Sequence, residues 1–349
     1  MRPCQWRGKL VHSRKQGGAA VDLSKLYANE IPDFLRDACK TDALRRLRDV
    51  GMNCGCEYTD FPRFHDLTPY SRFDHSLGVA LIVWQHTHDK RQAMAGLLHD
   101  VATPVFAHVV DFLKGDYLTQ EATEAGTEAT IRASHELCAV LGKYGLAADE
   151  VKDYHIYPVA DNDSPRLSAD RLEYSLGNMR NYGFADYRTV EALYRDITVG
   201  TNEYGETELV FSHLEQASAF AALALECGKV YVCDEDRYAM QRLAEVLADA
   251  LKAGVITLSD LNTTEPQIIA RLMANEVTAQ PWHAFRALHA TEIASGGEPD
   301  GAWRKIYAKK RFIDPFAVGR GRVSALDADF AAALGAFRAQ TQDYWVRGY

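Results

Sequence analysis

Four side chains set the chemistry that this sequence can do: His75, the adjacent pair His99-Asp100, and Asp170. Two imidazoles and two carboxylates form the donor set of a divalent transition metal that keeps positions open for water and substrate. That combination points to metal-assisted hydrolysis. Phosphate esters and anhydrides suit such a site, because their oxygens repel a nucleophile until charge is neutralised. A bound Mn, Fe, Co, Ni or Zn ion lowers the pKa of a coordinated water from about 15.7 to roughly 7 to 9. A neighbouring histidine, with an ordinary pKa of about 6.5, can then protonate what leaves. With twelve histidines in the chain a His-Asp pair arises easily by chance. Position argues against chance here. His99-Asp100 closes the apolar run Met94-Ala95-Gly96-Leu97-Leu98, where a charged group is costly unless paired or metal-bound.

Helices must carry these groups. Leu77, Ala80, Leu81 and Trp84 recur at helical spacing after His75, so that helix presents its ligand near its beginning. Ser164-Pro165 offers a cap and a first-turn proline for a helix bearing Asp170 and Tyr174, which lie four apart and share a face. His108 and Asp111, three apart, share a face of a helix starting near Val105. His135 precedes Glu136 on another helical segment, where the carboxylate would hold the imidazole in its charged form. Upstream, residues 41–51 combine a Thr41 cap, Leu44, Leu47 and Val50 at helical spacing, and a terminating Gly51. Strands are few: residues 197–201 and 208–211 flank a turn at 202–205 and predict one hairpin. Further helices are expected over 212–233, 236–253 and 265–275, with a last one near 327–344 after a Pro/Gly-rich connection at 295–301. The fold class is therefore all-α, with a metal-binding helical domain over 1–200 and a C-terminal helical lobe over 201–349, joined at the hairpin.

At 349 residues and 47% hydrophobic content the chain can bury a substantial core. Its net charge of −9 works against broad nucleic-acid binding, which draws on a positive field. The charge is uneven. Residues 304–322 carry Arg304, Lys305, Lys309, Lys310, Arg311, Arg320 and Arg322 against the single acid Asp314. Such a stretch suits binding of a polyphosphate at the mouth of the site, or equally a solvated face or an oligomer contact. Residues 116–128 are acidic and rich in Thr, Ala and Gly, as in a surface flap. Seven cysteines, an odd number, do not form a disulfide framework and indicate a reducing compartment. Cys54-Gly55-Cys56 has no second thiol pair at a zinc-site spacing and reads as loop cysteines. The opening residues show no apolar run of a secretory signal, and the most apolar stretch, 217–225, is about half the length of a membrane span. A cytoplasmic protein without membrane contact is the expectation.

The runs Arg72-Phe-Asp-His-Ser-Leu-Gly78, Leu97-Leu-His-Asp-Val-Ala-Thr-Pro-Val-Phe-Ala-His108-Val-Val-Asp111, His135-Glu136 and Asp170-Arg-Leu-Glu-Tyr174 resemble, in this order, the HD-domain phosphohydrolase superfamily. The closest pattern within it is that of the deoxynucleoside triphosphate triphosphohydrolases and their uncharacterised bacterial relatives. Beyond about residue 200 the chain is similar only loosely, through Asp236-Arg-Tyr-Ala-Met240 and Lys309-Lys-Arg-Phe-Ile-Asp-Pro315. The resemblance implies an HD-domain helical bundle in which His75, His99, Asp100 and Asp170 hold one divalent ion, Mn, Fe, Ni or Zn. It further implies that His108, Asp111 and His135 face the scissile phosphorus, with His135 the proton donor, and that Arg72 and Tyr174 contact substrate phosphate and sugar. One departure bears on substrate class: Thr103 stands where triphosphohydrolases usually carry a further histidine. The expected activity is hydrolysis of a nucleotide or related phosphorylated small molecule. Helical relatives of this kind often associate, and Phe330, Phe337 and Trp345 suit either a core or a homo-oligomer interface. Two other classes stay open at this stage. Some HD-fold enzymes hold two irons and oxidise their substrates, a role for which His108, His135 and His155 would serve, and a nucleotide-binding regulator would bind without turnover.

Overall fold

Ser71 starts the helix on which the site is built. Its hydroxyl accepts from the Asp74 amide at 3.2 Å while the Asp74 carboxylate accepts from the Ser71 amide at 3.1 Å, a reciprocal capping box. The helix that follows, Arg72–Thr87, buries eleven of its first twelve residues and so runs through the interior rather than along the surface. It ends at His88, whose φ of 50° breaks the helical path. Lys90–Leu98, capped by Asp89, then folds back along it, and Ala169–Asn181 packs on another side. The computed structural model describes residues 22–114, 126–297, 299 and 301–349.

Two hydrophobic clusters hold these helices. One gathers Leu81, Leu97, Leu172 and Leu176 with Phe220 and Phe337; the other gathers Phe64, Phe106 and Val109 with Leu243, Trp282 and Val346. Each draws on both the ligand-bearing segment and the C-terminal segment. Phe330 and Phe337 belong to the first cluster, while Trp345 is partly exposed on a strand.

The hairpin forms as the sequence indicates, β1 (Ile197–Thr201) pairing antiparallel with β2 (Thr207–Phe211) around Gly205 at φ 79°. Other strands correct the all-α expectation. The protein is largely helical, but it has two small sheets. With β3 at Thr291–Ala294, β4 at Arg304–Lys305, β5 at Phe316–Ala317, β6 at Gly321–Arg322 and β7 at Trp345–Gly348, the strand orders are β1-β2-β5-β6 and β3-β7-β4. Strands of two to four residues are too short to show alternation. The last helix stops at Ala339, because the chain turns into β7. A further helix, Glu276–Arg286, escaped the sequence pattern because Pro281 lies inside it. The helix carrying Asp170 is capped by Ser168 rather than Ser164. Most of the acidic flap, 116–125, lies outside the described residues. No helix among the described residues is long and apolar enough to cross a membrane.

Candidate metal centre

His75 projects from the first turn of its helix, His99 and Asp100 from the end of the next, and Asp170 from the first turn of a third. His75 Nε2 lies 3.0 Å from Asp170 Oδ1 and 3.2 Å from His99 Nε2. Ligand atoms of His75, His99 and Asp170 all fall within 4.8 Å of one another. Asp100, the fourth expected ligand, is not part of this group; its Oδ2 lies 3.4 Å from His99 Nε2 and 3.9 Å from His75 Nε2. Its carboxylate is oriented by Arg72 Nη1 at 3.0 Å and by the Thr103 hydroxyl at 2.5 Å. Thr103 thus holds the Asp100 carboxylate.

The two rings meet in a way that calls for a cation. His75 Nδ1 lies 2.6 Å from Glu173 Oε2 and His99 Nδ1 lies 2.7 Å from the Gly96 carbonyl. Both partners accept, so both Nδ1 atoms carry a hydrogen, and without a further proton both Nε2 atoms would present lone pairs to each other. Lone pairs 3.2 Å apart, beside carboxylate oxygens, repel unless a proton or a metal ion stands between them. Burial disfavours a charged His75, yet its bonds to Asp170 and Glu173 outweigh burial and push its pKa up to about 10. Burial likewise opposes ionisation of Asp170, but His75 holds it down to about 2. The donor set fits a divalent transition metal, whose binding would displace the proton.

Glu173 lies within the sequence motif without an expected role of its own. It is buried, and beyond His75 it accepts from the Tyr70 hydroxyl at 2.5 Å and the Tyr27 hydroxyl at 3.4 Å. Gly78 makes room for it: a Cβ there would come 2.5 Å from Glu173 Cγ. The available sequence clue is the matched spacing, with Glu173 three residues after Asp170 and Gly78 three after His75.

These ligands line a cavity of about 680 Å³ whose walls also include Arg72, His108, Tyr174, Lys309 and Arg311. His108 Nδ1 lies 3.0 Å from Oδ2 of the fully buried Asp111. Burial, opposed by Asp111 and aided by Arg311 and Arg72, holds the His108 pKa down to about 4. Neutral His108 therefore points Nδ1–H at Asp111 and leaves Nε2 as an acceptor. Tyr174 sits one turn beyond Asp170, and burial raises its pKa to about 12. Arg171 joins the wall in a salt bridge to Asp161 at 3.0 Å.

His135 is not brought to this cavity, which corrects its expected place beside the phosphorus. It opens the helix His135–Lys143 as an exposed residue, and that helix buries Leu137 and Leu141, which lie on the opposite side from His135. Glu136 accepts from the Asp42 amide at 2.7 Å instead of supporting the ring. His155 is at the cavity's edge, exposed and bonded to Asp153. Among the described residues, no second group of three or more metal-ligating side chains forms around His108, His135 or His155. Of the basic stretch, Lys309 and Arg311 reach the cavity, whereas Arg304 pairs with Glu245, Lys305 with Asp343 and Arg322 with Glu208. Cys54 also lines the wall, but burial pushes its thiol up to about 12, so it offers no thiolate.

No family model matches the chain. It is 25% identical over 208 residues to the uncharacterized protein YdhJ of Bacillus subtilis, a match spanning 59% of this chain and 62% of that protein. It is also 25% identical over 276 residues to the metal-dependent phosphohydrolase cns2 of Cordyceps militaris, 74% of each chain. The chain thus has a distant homologue named as a metal-dependent phosphohydrolase. That name agrees with the HD-type resemblance at the level of the superfamily.

Proposed function

We propose that this protein is a metal-dependent phosphohydrolase acting on a nucleotide or a related phosphate ester. The observation that carries the reading is the pair of buried imidazoles whose Nε2 atoms face each other beside Asp170 and Asp100, at the wall of a cavity that also holds Arg72 and His108. The name of the fungal relative supports the hydrolase class; the nucleotide rests on the sequence resemblance.

His75, His99, Asp100 and Asp170 would hold one divalent ion, with Mn, Fe, Ni or Zn suited to the set. When bound, such an ion neutralises phosphate charge and acidifies water. Glu173 and the Gly96 carbonyl fix the two ring orientations. Arg72 is held by Asp100 and lines the cavity wall, where its guanidinium can donate to a phosphate oxygen. With His135 on the surface, the proton falls to His108. A phosphate dianion beside the ring raises its proton affinity, and Asp111 stabilises the imidazolium, so His108 can deliver a proton to the leaving oxygen. Tyr174, on the same helical face as Asp170, contacts the body of the substrate.

Elemental analysis of the purified protein, run beside a panel of nucleoside tri-, di- and monophosphates and simple phosphoesters, tests this. We expect one divalent metal per chain and release of phosphate, pyrophosphate or triphosphate from at least one substrate. Asp100→Ala should lose metal and turnover together. Full activity in a metal-depleted Asp100→Ala preparation refutes the assignment.

A further inference from the structure

One side of the cavity is closed by chain remote from every ligand. Residues 306–315 run as an extended strap without regular secondary structure. Both ends are fastened: the Ile306 carbonyl accepts from Arg237, the Ala308 amide donates to Gln342 Oε1 at 2.8 Å, and the Asp314 amide donates to the Pro165 carbonyl at 2.9 Å. Its middle is set by Gly228 of the helix Leu214–Val230. A Cβ at that position would fall 2.5 Å from the Arg311 carbonyl oxygen, so any other residue would push the strap outward. Ile313 is buried, which anchors the strap just beyond Arg311.

Held at this depth, the Arg311 side chain enters the cavity, and its Nη2 comes 3.4 Å from His108 Nε2. That distance is long for a charge-assisted bond, and the acceptor is neutral. A phosphate oxygen is a stronger acceptor for a guanidinium than an imidazole is. Tyr174 and Tyr231 line the same cavity as Arg311.

We propose that Arg311 is a specificity-determining residue that binds a phosphate oxygen of the substrate, exchanging its contact with His108 for that anion. The proposal rests on the phosphohydrolase reading and deepens it. Substrate arrival then does two things: the C-terminal strap supplies a cation to the phosphate, and His108 Nε2 is released to face the reacting group. Because the cation gains most from the more highly charged ligand, the site selects phosphomonoesters over their methyl diesters.

The test measures binding of inorganic phosphate by calorimetry to manganese-loaded and to metal-depleted protein, for the wild type, Arg311→Ala and Arg311→Lys. Alongside, kcat and KM are measured on a matched monoester and methyl diester. We expect Arg311→Ala to weaken phosphate binding by about 10- to 100-fold, as for loss of a charge-assisted hydrogen bond. Metal content and melting temperature should stay at wild-type values, Arg311→Lys should recover part of the affinity, and the preference for the monoester should shrink. Phosphate affinity and monoester preference unchanged in Arg311→Ala overturn the proposal while leaving the hydrolase reading intact. Should Arg311→Ala fail to fold, unchanged affinity in Arg311→Lys and Arg311→Gln together overturns it equally. If the wild type binds manganese but neither binds phosphate nor hydrolyses any phosphoester, the hydrolase reading itself fails and takes this proposal with it.

Discussion

The candidate metal centre depends on residues outside its own cluster. Glu173 sets the tautomer of His75 from a buried site where Tyr70 and Tyr27 also donate to it. Removing it leaves the His75 ring free to rotate and to present the wrong nitrogen. Glu173→Ala should therefore lower metal affinity by about 10- to 100-fold, measured by competition with a chromogenic chelator. Affinity equal to the wild type would show that the ring is held by packing alone. The candidate cluster of His75, His99 and Asp170 was open to sequence reasoning because a buried His-Asp pair after an apolar run is costly without a partner. Glu173 was not legible as a support. Inside Asp170-Arg-Leu-Glu-Tyr174 it looks like any helical glutamate until the neighbouring helix, with Gly78, is seen to pack against it.

Local backbone geometry decides which histidine faces the cavity. The helix expected from near Val105 begins only at Val109, because Phe106 and Ala107 take positive φ of 58° and 45°; His108 therefore precedes it and lines the cavity with Nδ1 bonded to Asp111. His135 sits opposite the buried stripe of Leu137 and Leu141 and faces away. His135→Ala should thus keep kcat/KM within about 2-fold of the wild type, whereas His108→Ala should lose about 100-fold or more, the scale of one general acid. A steady-state comparison of the two variants checks this, and a collapse of activity in His135→Ala would reverse the assignment. A His-Glu dipeptide states no phase by itself, which is why the sequence could not separate the two. Long periodic helices and the Gly205 hairpin were readable because their patterns span several turns or a full alternation. The β5 and β6 strands, two residues each, exist only because the strap beyond Arg311 returns beside β2, a tertiary event without a local pattern.

At the scale of the whole molecule, a carboxyl pair, buried Glu265 and half-buried Glu57, fastens the C-terminal helices to the loop that precedes the His75 helix. Glu265, at the start of Glu265–Met273, accepts from the Gly51 amide at 2.9 Å, the Phe106 amide at 3.2 Å and the Tyr58 hydroxyl at 2.7 Å. Glu57 lies beside it with Oε2 sealed from solvent and without a hydrogen-bond partner. Burial and the Glu265 charge push the Glu57 pKa up to about 8. The folded protein therefore keeps a proton on this pair that the unfolded chain releases above an ordinary glutamate pKa of about 4.3. The unfolded state binds fewer protons throughout that interval, so this pair's contribution to stability is full below it and falls as pH rises toward 8. Glu57→Gln carries the neutral form permanently. Its melting temperature should fall less than that of the wild type between pH 5.5 and pH 8, with the two proteins closest at the acid end. Thermal melts at several pH values across that range decide the matter, and parallel curves for wild type and variant would mean that the proton is not held at Glu57.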